Sequence, residues 1–274
     1  MGLRNVVKRM MGEELPLPWS AGYNARKNKL IADTLADPAM MGRFAGGDRL
    51  PGNFGDRIDE RVVEYPWVLS RLVGEDPILD AGSTFSSPLM LESPQLRDRR
   101  IIVYTLLTDW ITLNPKVSYI FGDFRDMLLK DACVPSIACI STLEHVGMGQ
   151  SYKDFDVNRH APDEDLYGYR IALKEFDRVL KPGGRLLLTL PYGKRENHGW
   201  LQQFDAATLA EVAAAFPGHV GTTYYRYRKG GWQVATAADC ADAGYYNIHA
   251  RKDGFDADYA AAARAVACLE FRKP

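Results

Sequence analysis

The chain has 274 residues, of which 46% are hydrophobic and 25% charged, so it is long enough for one large α/β domain. Its formal net charge of −1 leaves no surplus of cations to neutralise phosphates, which argues against a general nucleic-acid binder. The longest apolar stretch, residues 101–113, is too short and too interrupted to span a bilayer. The four cysteines are scattered without a CxxC pair, and no metal-ligand spacing is present. This pattern favours a cytoplasmic protein with reduced thiols and no metal site.

Residues 1–60 carry Pro, Gly and aromatic residues in irregular order, so they are expected to form an arm of short helices and loops. This arm precedes the regular part of the chain and could cover a binding site as a lid. Regular patterning starts at residue 61, where apolar residues recur at helical spacing around Pro66. The predicted organisation is therefore an arm or lid over residues 1–60 and one domain over residues 61–274.

Short apolar runs alternate with helical patterns from residue 78 onward. This alternation predicts an α/β fold with a doubly wound, mostly parallel sheet. The Lys-Pro-Gly-Gly run at 181–184 is expected to end the longest helix. The predicted strands are Ile78–Asp80, Ile101–Leu106, Val117–Phe121, Ser136–Ser141, 185–193, Thr222–Arg228 and Ala265–Phe271, and the predicted helices are Pro88–Leu96, Asp163–Leu180, Ala206–Ala215 and Thr236–Ala243.

Polar residues follow several of these strands directly. In open parallel sheets, ligands bind beyond the carboxyl ends of the strands, at the point where the strand order reverses. Side chains that follow different strands are therefore expected to meet at one edge of the sheet. The segments concerned are 80–84, Thr105–Asp109, 122–123, Ser141–His145 and 191–195.

Four segments, in this order, resemble the successive motifs of class I S-adenosylmethionine-dependent methyltransferases. They are ILDAGS (78–83), GDFRDMLL (122–129), IACISTLEHVG (137–147) and EFDRVLKPGGRLLLTLPYG (175–193). The resemblance covers roughly residues 60–195. It implies a Rossmann-like methyltransferase fold with an irregular N-terminal extension, S-adenosyl-L-methionine as the cofactor, and methyl transfer as the activity. The STLEHVG element is similar to bacterial members linked to glycan or lipopolysaccharide biosynthesis.

The resemblance also implies roles for individual residues in holding the cofactor. An acid closes the first strand, small residues let the backbone approach the cofactor, another acid accepts the adenine amino group, and small hydroxyl residues lie beside the sulfonium. In this chain those roles fall on Asp80 for the methionine amino group, Ala81, Gly82 and Ser83 for the turn, Asp123 for adenine, and Ser141 and Thr142 for the sulfonium.

The chain departs from the family pattern in two places. The turn lacks its usual second glycine, and Ser83 and Thr84 stand there instead. The second strand does not end on an acid that would hold the ribose hydroxyls. The alignment places Thr105 at that position, and the nearest acid is Asp109, four residues later. Either Asp109 reaches the ribose or the ribose is held in another way, and Asp109 is the predicted ligand.

The acceptor is expected to be a small polar molecule, with a saccharide hydroxyl as the favoured group. Such a hydroxyl needs a base because its proton is held tightly, whereas a carboxylate acceptor would need none. The candidate catalytic residues are Glu144, His145 and His198. The loop around His198 also carries aromatic and cationic side chains, which suits a small polar substrate. Before the first strand, Arg61, Glu64 and Tyr65 are near enough in sequence to touch a bound cofactor.

Two other functions compete with methyl transfer. One is a methyltransferase-like binding or scaffold domain without catalysis, which the degenerate turn and the missing ribose acid would suit. The other is an NAD(P)-dependent sugar-modifying enzyme on a similar sheet. That enzyme would require a G-x-G-x-x-G turn, which residues 82–87 do not provide. Many such enzymes also use a Tyr-x-x-x-Lys pair, whereas Tyr169 and Lys174 are one position too far apart.

Overall fold

The structure is a computed structural model that describes residues 16–72, 74, 76–108, 111–149, 165–247, 249–250, 254–259 and 261–274. Its helices are α1 (Ala21–Ala36), α2 (Pro38–Gly46), α3 (Arg61–Arg71), α4 (Pro88–Leu91), α5 (Gly168–Val179), α6 (Ala206–Ala215) and α7 (Ala237–Cys240), with one 3-10 turn at Leu143–His145. Its strands are β1 (Ile78–Ala81), β2 (Ile101–Thr105), β3 (Val117–Phe121), β4 (Val134–Ile140), β5 (Leu180–Pro191), β6 (Glu196–Asn197), β7 (Gln202–Gln203), β8 (His219–Arg228), β9 (Gly231–Ala235), β10 (Tyr245–Tyr246), β11 (Ala262–Ala263) and β12 (Ala265–Arg272).

Eight strands form the central sheet in the order β3-β2-β1-β4-β5-β12-β8-β9. Strands β1 to β5 pair in parallel, and β12 lies antiparallel to both β5 and β8. The predicted doubly wound, mostly parallel sheet is therefore confirmed. The chain builds outward from β1 to β3 and then returns to the other side of β1 with β4, so the strand order reverses between β1 and β4.

Each face of the sheet is covered by helices, and successive residues of the central strands alternate between the two faces. Leu186 and Leu188 of β5 pack into the core that includes α5 and α6, whereas Leu187 packs into the opposite core. That second core includes Phe44 of α2 and Trp67 of α3, both almost completely buried. The near-continuous apolar sequence of β5 thus reflects burial on both faces.

The described part of the N-terminal segment, residues 16–60, packs into the second core. Helix α1 begins at the cap residue Ser20, whose hydroxyl accepts a hydrogen bond from the Tyr23 amide. The hydroxyl of Tyr23 then donates a 3.0 Å hydrogen bond to the buried carboxylate of Asp59. Helix α1 has 16 residues, which is more regular structure than the irregular sequence indicates.

Several predicted boundaries differ from the observed ones. The helix expected over Pro88–Leu96 stops at Leu91, and the one expected over Thr236–Ala243 stops at Cys240. Residues 181–184 do not separate α5 from β5. Leu180 pairs with Val134 and Arg185 with Ser136, so the four residues form a bulge within the strand. Strand β9 was not predicted; it follows a turn in which Gly230 and Gly231 both have positive φ.

The described helices include none long and apolar enough to cross a membrane.

Candidate functional site

The side chain of Asp80, at the end of β1, is completely buried. Its two carboxylate oxygens accept hydrogen bonds from the amides of Thr84 (3.2 Å) and Phe85 (2.7 Å). Burial raises the pKa of Asp80 to about 7, although these two amides lower it. In this structure Asp80 therefore anchors the turn that follows β1, and its contact with a cofactor stays a prediction.

The turn after Asp80 needs glycine at position 82 for two reasons. Gly82 has φ +132°, a conformation that other residues rarely adopt, and a Cβ there would lie 2.1 Å from the Thr142 hydroxyl oxygen. The close approach at Gly82 is thus to the chain's own Thr142. Ser83 follows with φ +71°, so it makes the left-handed bend that the missing second glycine would otherwise make. Ala81 is fully buried within the strand.

A buried carboxylate from α3 joins the ends of β4 and β5. Glu64 is completely buried, and its Oε1 accepts hydrogen bonds from the hydroxyls of Ser141 (2.6 Å) and Thr189 (2.8 Å). Its Oε2 accepts a 2.5 Å hydrogen bond from Nη1 of Arg61. Ser141 directly follows β4 and has φ +42°, and its amide donates to the Thr189 hydroxyl at 3.1 Å. Helix α3 is therefore fixed to the strand ends, next to the reversal point.

Two further groups of α3 and its N-terminus lie in the same polar cluster. Glu60 is buried, and its Oε2 accepts a hydrogen bond from the Ala263 amide at 3.2 Å. Burial raises the pKa of Glu60 to about 8, although the Arg61 charge lowers it. Burial likewise raises the pKa of Tyr65 to about 12, with Arg61 lowering it and the carboxylates of Glu64 and Asp80 adding to the rise.

The turn after β4 contributes Glu144 and His145. Glu144 is almost completely buried, and its Oε2 has no hydrogen-bond partner among the described residues. Burial raises the pKa of Glu144 well above its usual range. The Nδ1 atom of His145 lies 2.8 Å from the Trp200 carbonyl oxygen, which can only accept. Nδ1 therefore carries the proton and Nε2 has the lone pair. Burial lowers the pKa of His145 to about 4.

Aromatic rings connect His145 to a cavity beside the strand ends. The centre of the Trp200 ring lies 5.3 Å from that of His145 and 6.2 Å from that of Tyr245. The ring centres of Tyr245 and His198 are 5.1 Å apart. Tyr245 and His198 line a cavity of about 470 Å³. The other lining residues are Glu196, Gly244, Tyr246, Asn247, Ala250, Asp256 and Arg264.

His198 and Glu196 form a pair at this cavity. Nε2 of His198 lies 3.3 Å from Oε2 of Glu196, yet that nitrogen is buried and makes no hydrogen bond to the described residues. Because the two atoms are close but not aligned for a hydrogen bond, the contact between His198 and Glu196 is electrostatic. Burial lowers the pKa of His198, and the Glu196 carboxylate partly opposes this by raising it. At neutral pH the imidazole is therefore mainly neutral and able to accept a proton.

Asp123 was predicted to bind the adenine and Asp109 the ribose of the cofactor, and the structure describes the first of these acids. Asp123 follows β3, and its carboxylate is bound by its neighbour Arg125, with a 2.6 Å contact from Nη2. Burial opposes ionisation of Asp123, but the hydrogen bonds from Arg125 lower its pKa below the usual range. An adenine amino group would therefore have to share this carboxylate with Arg125. Asp109, the predicted ribose ligand, lies outside the described residues.

The structure thus brings Asp80, Gly82, Ser141, Thr142 and Glu144 together at the β1–β4 reversal. His145 and His198 lie beside the rings of Trp200 and Tyr245. The sequence did not reveal Thr189, Glu60, Glu196 or Tyr245 as members of the site. Glu64, which the sequence placed near a bound cofactor, is completely buried and accepts from three side chains of this chain, and its contact with a cofactor stays a prediction. Among the described residues, no group of three metal-ligating side chains could hold a metal ion.

No protein-family model and no curated protein sequence matches this chain. Among solved structures, it is similar to the [4+2]-cyclase SpnF, with 19% identity over 76% of this chain and 78% of that one, at a TM-score of 0.47. It is also similar to 1,6-didemethyltoxoflavin-N1-methyltransferase from Burkholderia thailandensis, with 14% identity over 95% and 92% of the two chains, at 0.46. N-methyltransferase NodS from Bradyrhizobium japonicum shares 14% identity with this chain, over 72% of this chain and 85% of that one, at a TM-score of 0.40. Likenesses this remote do not assign a function to this chain.

Proposed function

We propose that this chain binds S-adenosylmethionine at the carboxyl ends of β1 and β4 and transfers its methyl group to a small polar acceptor. The observation that carries the proposal is the reversal of strand order between β1 and β4. Open α/β sheets bind ligands at such a reversal. Here the turn anchored by Asp80 lies on one side of the reversal, and Ser141 to Glu144 lie on the other.

The polar groups at the reversal suit the amino-acid end of S-adenosylmethionine, which carries one ammonium and one carboxylate. Oε2 of Glu144 is a buried acceptor without a partner in the described chain, and it could accept from an ammonium group. Arg61 supplies a partly exposed guanidinium, which could donate to a carboxylate. When bound, S-adenosylmethionine would supply an electrophilic methyl group. The acceptor oxygen would form a bond to the methyl carbon, the electrons of the broken carbon–sulfur bond would stay on sulfur, and a base would take the hydroxyl proton.

The acceptor we propose is a hydroxyl of a saccharide or related metabolite, and its binding site is the 470 Å³ cavity beside the strand ends. Tyrosine rings and polar side chains line this cavity, a combination that suits a polyhydroxylated ring. His198 supplies a mainly neutral imidazole at the cavity wall, so it is the proposed base for the acceptor proton. His145 has a much lower pKa, near 4, which makes it the weaker base of the two.

The second candidate is a binding or scaffold domain without catalysis. Complete burial of Asp80, and the packing of Gly82 against Thr142, favour it, because the chain's own atoms occupy the corner where the cofactor is expected. No observation favours the NAD(P)-dependent enzyme.

Calorimetric titration with S-adenosylmethionine, S-adenosylhomocysteine and NADPH distinguishes the three functions. Binding of the first two ligands alone supports the methyltransferase, and binding of NADPH alone would replace it with the oxidoreductase. No binding of any ligand favours the scaffold. Asp80→Ala, which releases the turn, is expected to remove S-adenosylmethionine binding while the protein stays folded by circular dichroism. Unchanged affinity in that variant would mean that the cofactor binds elsewhere.

A further inference from the structure

We propose that Arg61 binds the α-carboxylate of the cofactor and that Glu64 is the residue that positions Arg61 for this contact. This inference rests on the proposed function, because it takes S-adenosylmethionine or its product S-adenosylhomocysteine as the ligand at the strand ends.

The position of the Arg61 guanidinium is set by buried contacts. Its Nη1 donates to Oε2 of Glu64 at 2.5 Å. Glu64 is itself held by the hydroxyls of Ser141 and Thr189, which close β4 and β5. A flexible arginine side chain is thereby fixed beside the ends of two central strands. Holding a binding group rigid before the ligand arrives reduces the entropy lost on binding.

Arg61 retains donors for a ligand. A guanidinium has five N–H donors, and within the described part of the chain it makes a single side-chain hydrogen bond, the one to Glu64. About 28% of its side chain remains exposed. The remaining donors can engage a carboxylate in the forked geometry that arginine favours.

Among the described residues, Arg61 forms one ion pair, the one with Glu64. Burial raises the pKa of Glu60 to about 8, so this acid is mainly neutral at pH 7, and burial also raises the pKa of Glu144. The carboxylate of Glu64 accepts from three donors, Arg61 and the hydroxyls of Ser141 and Thr189, so its charge is shared among them. Elsewhere at these strand ends, the Arg195 guanidinium is bound by Gln202 and Gln203, and that of Arg125 by Asp123.

The test compares two ligands that differ by one group, S-adenosylhomocysteine and its decarboxylated counterpart, by calorimetric titration. Arg61→Met is expected to weaken S-adenosylhomocysteine binding about 10- to 100-fold, the range for losing hydrogen bonds to a charged group. Affinity for the decarboxylated ligand should change less than about twofold, because no carboxylate contact is lost. Arg97→Met, which alters a mainly exposed arginine ahead of β2, serves as the matched control and should change neither affinity.

Glu64→Gln tests the positioning role. This variant keeps a side chain of the same size but removes the charge that holds Arg61, so it should weaken S-adenosylhomocysteine binding more than binding of the decarboxylated ligand. If Arg61→Met does not fold, Arg61→Lys takes its place, with a smaller loss that is again confined to S-adenosylhomocysteine.

The outcomes separate this inference from the proposed function. The carboxylate contact is overturned if a folded Arg61 variant loses affinity for both ligands equally, or if its affinity for S-adenosylhomocysteine is unchanged. Wild-type protein that binds neither ligand overturns the proposed function itself.

Discussion

The carboxylate of Glu64 accepts a 2.6 Å hydrogen bond from the hydroxyl of Ser141, although 77 residues separate them in the chain. This contact connects a helix that precedes the sheet to the end of a central strand. It makes α3 part of the wall of the candidate site.

Glu64→Ala is expected to lower the free energy of unfolding by about 3 kcal/mol, because it leaves the Arg61 donor and two buried hydroxyls without their acceptor. Urea denaturation followed by circular dichroism measures the loss. Glu92→Ala, at an exposed position, should stay within about 0.5 kcal/mol of wild type. Equal stabilities of the two variants would show that the buried contacts of Glu64 contribute little.

Gly82→Ala is expected to destabilise the fold by about 3 kcal/mol, since it combines backbone strain with a collision against Thr142. Gly183→Ala is the matched control: Gly183 also has positive φ, but a Cβ there meets no atom within 4 Å. The control should therefore lose only about 1 kcal/mol. Adding Thr142→Ala to Gly82→Ala should restore part of the stability. If the double variant shows no recovery, the loss comes from the backbone alone.

The raised pKa of Asp80 predicts a stability change with pH. The carboxyl of Asp80 has a pKa of about 7 in the folded chain, above its ordinary value of 3.8, so the folded state binds the proton more tightly than the unfolded chain between those two pH values. Stability from this group therefore rises as pH falls from about 7 to about 4, by at most about 1.4 kcal/mol per pH unit. Asp80→Asn should remove this contribution. Denaturation curves of both proteins across this range, differing by a constant amount, would refute the prediction.

His145 should make the stability of the fold change with pH in the opposite direction. Its pKa is about 4 in the folded chain, below the ordinary 6.5, so the unfolded chain binds the proton more tightly. Stability from this group is complete above pH 6.5 and decreases as pH falls toward 4. His145→Asn, whose amide can still donate to the Trp200 carbonyl, should lessen the acid sensitivity. Thermal melting at stepwise pH measures the effect, and an unchanged acid slope in the variant would count against it.

Removing the Glu196 charge should lower the pKa of His198 further, because the carboxylate favours the imidazolium form. The measurement is the titration of the His198 ring protons by nuclear magnetic resonance in wild type and in Glu196→Gln. The control Glu92→Gln should leave that titration unchanged. A higher or equal pKa in Glu196→Gln would mean that the two side chains do not interact in solution.

The order and type of the main elements followed from local patterns. The strands β1 to β4 and β12 lie close to their predicted ranges, whereas β5 begins at Leu180 rather than at residue 185. Strands β1 and β4 were predictable because a strand buried on both faces needs a continuous apolar run. Local pattern failed where the pairing partner decides the outcome. The bulge at 181–184 depends on pairing with β4, and β10 depends on pairing with β11. Strands β6 and β7 pair with each other over two residues each, which is too short for a pattern in the sequence.

The sequence by itself determined the doubly wound sheet and the placing of Asp80, Asp123 and Ser141 at or just beyond strand ends, since the hydrophobic period and the turn residues are local properties. Only the tertiary structure decided what those residues contact. Asp80 accepts from the amides of its own turn and Asp123 from the nearby Arg125, and the sequence did not show that the first is buried and the second half-buried. Ser141 donates to Glu64, which lies on a helix 77 residues earlier in the chain. Hydrogen bonds between distant residues, and the burial that shifts their pKa values, arise only when the folded chain excludes water around them.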